Sequence, residues 1–274
     1  MSDPRAALEA IGELPDAEID IADAALQLAR VDAPRADWEG CRAHLSELAR
    51  EAVAFSGDIA QDDTPMQAVA LAALLVDRHG YAGDAQTYDD LANANLIRVI
   101  ERRRGLPVAL GVLWLHAARA AGWAAHGIDF PGHFLVALAG GREPAAVDAF
   151  GGGRLLDAAS LLALLRRIEG DGADLRPGLL VPMSTRAVLL RLQNNIGTRR
   201  YAAGDVAGAA ACAGDMLRIA PLEPGLWWEA ARLHGELGQV AAALRCLTRF
   251  AELAPPAQAT RAQAAMRALR SRRN

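Results

Sequence analysis

The sequence predicts an α+β protein: a helix-rich domain with a small antiparallel sheet, followed by an all-α segment. Three observations carry this. Up to about residue 123, apolar residues recur at helical spacing. Around residues 133–150, two short apolar runs flank a turn that contains Gly and Pro. From about residue 186 the chain is helical again and repeats itself at a fixed offset. Ala, Leu, Arg and Glu are abundant, which favours helix. A hydrophobic fraction of 52% over 274 residues is ample for a core.

The elements follow in order. "DAEIDIADAALQLARV" (16–31) keeps its apolar positions on one helical face, and Pro34 stops it. Residues 37–54 form a second helix of the same kind. In "TPMQAVALAALLVDRHG", Thr64 is the expected N-cap, Pro65 suits the first turn and Gly80 closes the helix. "LANANLIRVIERRRG" ends on Arg102, Arg103 and Arg104, cations that complement a helix C-terminus, and Gly105 is expected at the left-handed cap. A long apolar helix then opens at Pro107. "HFLVAL" (133–138) and "AAVDAF" (145–150), joined by "AGGREP", read as two antiparallel strands. "GGGRLLDAASLLALLRRI" reads as a loop leading into a helix. These elements make a first domain at residues 1–182 and a second segment at residues 186–274.

That second segment is internally repetitive. Gly204 matches Gly238, Cys212 matches Cys246, and Ala220-Pro221 matches Ala254-Pro255, each 34 residues apart. A 34-residue period with Gly at the inter-helix turn, small residues in the second helix and a closing Pro resembles the tetratricopeptide pattern. Stacked units of this kind form a concave surface that takes a peptide or another domain. Trp227 and Trp228, which open the second unit, are candidate binding residues, since Trp is favoured at the energetic centre of interfaces.

Composition narrows the partners. A net charge of −4 gives no pull towards nucleic acid or an anionic membrane. No stretch reaches the roughly 18 uncharged apolar residues of a spanning helix, and the N-terminus lacks a secretory pattern; the expected location is cytoplasmic. The three cysteines are scattered without a C-x-x-C pair, so neither a disulfide framework nor a zinc site is expected. No cofactor and no metal is expected.

One constellation carries potential chemistry. His133 stands at the entry to the first strand and Asp148 within the second, so two adjacent antiparallel strands bring them together. A carboxylate beside an imidazole fixes its tautomer, as the orienting pair of a nucleophilic triad does. The third member would be Cys or Ser at a helix N-terminus, where free backbone N–H groups lower a thiol's pKa. Residues 106–111 hold no Cys, Ser or Thr, and Ala109 occupies the place. Cys41 shares a helical face with Trp38 and Leu45, which is a core position rather than a substitute nucleophile.

Asn93, Leu96, Val99, Arg103, Gly105 and Pro107, followed by an apolar helix, then "PGHF" and "VDAF", resemble the SirB family. That resemblance implies a transglutaminase-like domain, related to the papain-type fold, followed by tetratricopeptide repeats. It implies that His133 and Asp148 match the family's His and Asp, with Ala109 at or beside the nucleophile's place. It therefore points to a non-catalytic protein. Its old groove, lined by Asn93, Ala109, His133 and Asp148 with Arg103 nearby, would hold a protein or peptide partner together with the repeats. Two other readings compete: a hydrolase of amides or esters with His133 as general base on water, and a pair kept only for stability.

Overall fold

Aspartates start the early helices. In the computed structural model, which describes residues 3–141 and 144–271, α1 (Pro4–Glu13), α2 (Ile21–Asp32), α3 (Trp38–Ser56) and α4 (Thr64–Ala72) are capped by Asp3, Asp20, Asp37 and Asp63. Each carboxylate accepts from a backbone N–H of the first turn, where helical donors lack partners. The expected cap Thr64 is instead the first helical residue, because Asp63 reaches the Met66 N–H at 3.1 Å. A π-helical stretch at Ala73–Arg78 extends α4, and Gly80 at φ 73° ends it.

Two-residue strands β1 (Ala82–Gly83) and β2 (Arg104–Gly105) pair in parallel and bracket a 3-10 turn at Leu91–Asn93 and α5 (Leu96–Arg102). Here a second expectation is corrected. The left-handed residue after α5 is Arg103, at φ 57°, not Gly105. Gly105 serves another need: a Cβ there would lie 2.9 Å from the Val99 side chain.

α6 (Pro107–Ala120) leads into β3 (Ala125–Phe130), β4 (His133–Leu138), β5 (Ala145–Asp148) and β6 (Arg154–Leu156). The expected turn "AGGREP" includes Arg142 and Glu143, which lie outside the described residues. α7 (Ala158–Glu169) follows, then β7 (Pro182–Met183). The sheet is antiparallel in the order β6-β5-β4-β3-β7, five strands where two were expected.

All six residues of β4 are buried, as a central strand covered on both faces requires. On one face Ile128, Phe130, Leu135, Ala137 and Ala146 pack with Leu161, Leu164 and Leu165 of α7. On the other, α6 presses Gly111 against the Phe134 ring so closely that an added Cβ would sit 2.2 Å from it. Burying each large side chain of this core contributes about 1.5–3 kcal/mol.

The rest is helical: α8 (Thr185–Ala202), α9 (Val206–Ile219), α10 (Pro224–Glu236), α11 (Val240–Leu253) and α12 (Pro256–Ser271). α9 and α11 begin and end 34 residues apart, and Gly204 (φ 81°) and Gly238 (φ 69°) turn the chain before them. Cys212 and Cys246 are buried at equivalent places. The chain forms two compact units. One is Pro15–Leu192; the other joins Met1–Leu14 to Gln193–Asn274. In the second, α1 packs on α9, with Arg5 bonded to the buried Asp215 at 2.9 Å and Glu9 paired with Arg218. Gly12 makes the approach possible, since its Cβ would lie 2.1 Å from the Arg218 carbonyl oxygen.

Candidate functional site

Pro131 and Gly132 form the turn between β3 and β4, with Gly132 at φ 61°, and they deliver His133 as the first residue of β4. Asp148 is the last residue of β5. The β4–β5 register makes the two diagonal neighbours on one face of the sheet. Nε2 of His133 lies 2.9 Å from Oδ1 of Asp148. The same carboxylate oxygen accepts from the N–H groups of Phe150 at 3.1 Å and Gly151 at 3.0 Å. Burial opposes the charged form of Asp148. The hydrogen bond and charge of His133, together with the Gly151 and Phe150 amides, outweigh it and hold the carboxyl below its ordinary value. An ionised carboxylate only accepts, so Nε2 carries the proton and donates it.

Neighbours fix the imidazole in place. The Phe150 ring meets it edge-on at 6.1 Å and is itself met by Tyr88 at 5.9 Å. Phe150 lies against Gly83, whose missing Cβ makes the room. The His133 carbonyl accepts from Arg191 at 2.6 Å, and Arg191 also pairs with Asp129.

The expected open groove is absent from these residues. His133 is 9% exposed and Asp148 4%, while Asn93 and Ala109 are fully buried. Asn93 and Ala109 therefore offer no surface to a ligand, and His133 and Asp148 offer little. Ala109 instead fills the third position of α6, within its packed first turn. Asn93 donates to the Thr87 carbonyl at 2.6 Å, accepts from Arg102, and receives the Leu106 N–H on its own carbonyl. These bonds fasten the 84–106 segment.

Arg103 is turned inward by its left-handed backbone. Its guanidinium bonds the Tyr81 hydroxyl and approaches His44 Nε2 at 2.7 Å, with the Tyr81 ring beneath it at 4.7 Å. Burial, then the Arg103 charge, pushes His44 down to about 4. The neighbouring Cys41 is buried, and its thiol is pushed up to about 11, first by burial and then by Glu101 and Asp37. That is the opposite of a reactive thiol.

The two tryptophans part. Trp227 donates its indole N–H to the Pro221 carbonyl at 2.8 Å. Trp228 packs on Phe250, carries the Arg261 guanidinium at 4.2 Å from its ring, and lines a cavity of about 400 Å³ between α10 and α12. A second cavity of about 200 Å³ lies on the other side of α10, among Thr198, Tyr201, Met216 and Leu233. Arg232 lines both. It is held over the Tyr201 ring at 4.5 Å and bonded to Glu229, Glu236 and the Tyr201 hydroxyl. Tyr201, Arg232 and Arg261 were not singled out by sequence. Their spacings of 31 and 29 residues do not follow the 34-residue period, so the repeat does not mark them; only the packing of α8, α10 and α12 brings them to the cavities.

The profile of the transglutaminase-like superfamily matches residues 39–194. A UPF0162 protein of Xylella fastidiosa (strain Temecula1) is 33% identical over 194 residues, covering 70% of this chain and 69% of that protein. F-box only protein 21 of Mus musculus is 27% identical over 135 residues, 46% of this chain and 21% of that protein. Among solved structures, a menin structure that reveals the binding site for the mixed lineage leukemia protein aligns with 91% of this chain and 70% of its own, at 8% identity. Its TM-score of 0.42 is too low to bear on fold or function.

Proposed function

We propose that this chain, which belongs to the transglutaminase-like superfamily and to the UPF0162 family, is a non-catalytic, peptide-binding adaptor. The observation that carries this is the pair of cavities in the helical segment, both lined by Arg232. The site that would do transglutaminase-like chemistry has a buried alanine, Ala109, at the expected nucleophile position, beside a His133–Asp148 pair that is nearly closed to solvent. We read the helical segment, residues 186–274, as tetratricopeptide repeats on which α1 packs, the rest of residues 1–182 as the transglutaminase-like domain, and the whole as SirB-like. Trp228 is the aromatic anchor of the groove, and Arg103 and Asn93 hold the first domain together rather than a ligand. The partner is a protein or peptide, the compartment cytoplasmic, and neither a cofactor nor a metal is part of the reading. No helix of the described residues is long and apolar enough to cross a membrane.

The test is retention of randomised nine-residue peptides by the full chain. Trp228→Ala is expected to lose retention, and His133→Ala to keep it. Retention untouched by Trp228→Ala and abolished by His133→Ala would move the binding site to the first domain. An amide- or ester-hydrolase activity lost in His133→Ala would overturn the non-catalytic reading.

A further inference from the structure

Within the groove the charges are unevenly spent. Glu229 lies 2.6 Å from Nη2 of Arg232, and Glu236 lies 3.2 Å from Nη1 of the same guanidinium. Both lining carboxylates thus converge on one cation, which the Tyr201 ring also supports. Arg261 differs. It is exposed, it rests on the Trp228 indole, and among the described residues no carboxylate lies within ion-pair distance of it. A guanidinium resting over an indole ring makes no hydrogen bond to it, which leaves its N–H fork able to take a carboxylate in two parallel bonds. Next to it, Ala231, Leu247, Ala265 and Leu269 give the 400 Å³ cavity an apolar floor.

We propose that this groove takes an extended acidic peptide, with an Asp or Glu side chain paired to Arg261 and a neighbouring bulky apolar side chain filling the cavity beside Trp228. This rests on the peptide-binding reading above and names the partner's chemistry. Arg232 lines the smaller cavity as well as this one, so a peptide seated in both runs on past Arg261 rather than ending there. That commits the carboxylate to a side chain in mid-peptide and not to a chain terminus. The two cavities flank α10, whose diameter with side chains is about 10–12 Å. An extended peptide rises about 3.3 Å per residue, so the side chain entering the second cavity stands about three residues from the first. That second cavity mixes Asn194, Thr198 and Tyr201 with Ala213, Met216 and Leu233, and so accepts a medium-sized side chain with a polar end.

The experiment uses the full chain and three randomised nine-residue peptide libraries with the central position fixed as Glu, Gln or Lys. Retention of the Glu library is expected to exceed that of the Gln library about tenfold, which corresponds to about 1.4 kcal/mol, and the difference should shrink with added salt. Arg261→Ala is expected to bring the Glu library down to the level of the Gln library and to leave the Gln library unchanged. Arg261→Glu is expected to prefer the Lys library. Equal retention of all three libraries, still lost in Trp228→Ala, overturns the acidic preference and leaves the peptide groove standing. No retention of any library, or retention indifferent to Trp228→Ala, overturns the groove reading and this inference with it.

Discussion

At the scale of single residues, Asp148 does more structural work than His133. Its Oδ1 gathers one imidazole N–H and two backbone N–H groups, so its removal strands three donors, whereas loss of the imidazole strands none of the backbone ones. His133→Ala is expected to cost about 1–2 kcal/mol and Asp148→Ala about 3 kcal/mol or more in urea denaturation. Equal effects would mean that the turn amides find water when the carboxylate is gone. The pH dependence follows from two depressed values. Asp148 contributes stability that is complete above its ordinary 3.8 and fades as pH falls through its lowered folded value. His44 is neutral in the fold down to about 4, while the unfolded chain takes up its proton near 6.5, so stability falls as pH drops from 6.5 towards 4. Thermal melts of His44→Gln across that window are expected to show a flatter slope than those of the parent chain.

At the scale of elements, two sites show backbone and packing setting the residue. Arg103 occupies a left-handed position that costs a non-glycine residue about 1–2 kcal/mol, and its bonds to Tyr81 and His44 hold it there. Arg103→Gly and Arg103→Ala lose the same bonds, but only the alanine keeps the strain. The glycine variant is therefore expected to be the more stable by about 1 kcal/mol; the reverse order would assign the strain elsewhere. Gly111→Ala puts a methyl into the Phe134 ring and is expected to destabilise the α6–β4 contact by about 1–3 kcal/mol.

These elements also mark where the sequence was legible. The early helices, the α6 start at Pro107 and the adjacency of His133 and Asp148 followed from periodicity and alternation. β3 did not, because Gly127 interrupts its apolar pattern to make room for the Phe134 ring. β6 is three residues long and carries no pattern. Propensity places the cap after α5 at Gly105, and the tertiary contacts of Arg103 override it.

At the scale of the whole molecule, the repeat was readable because its period is exact in sequence, and α9 and α11 keep it. The part played by α1 was not. Nothing local in "PRAALEAIGE" announces that it packs on α9, some 200 residues away; the tie rests on Asp215 meeting Arg5 and on a glycine at the contact. Deleting residues 1–14 is expected to raise hydrogen exchange throughout α9 while α7 keeps its protection, since α1 belongs to the unit that contains α9. The groove is equally hidden, for its lining is drawn from α8 to α12, and Trp228 alone of its anchors carries a signal in the sequence.

Binding by the repeat groove, with an inert His133–Asp148 pair, can be told apart within one sample from binding beside that pair. Methyl NMR of the full chain, titrated with a peptide selected from the retained library, does this most directly. Shifts are expected at Leu233, Leu247, Ala265 and Leu269, with Leu135, Ala137 and Ala146 beside the pair unmoved. Shifts confined to that second group, with the groove methyls silent, would contradict binding by the groove.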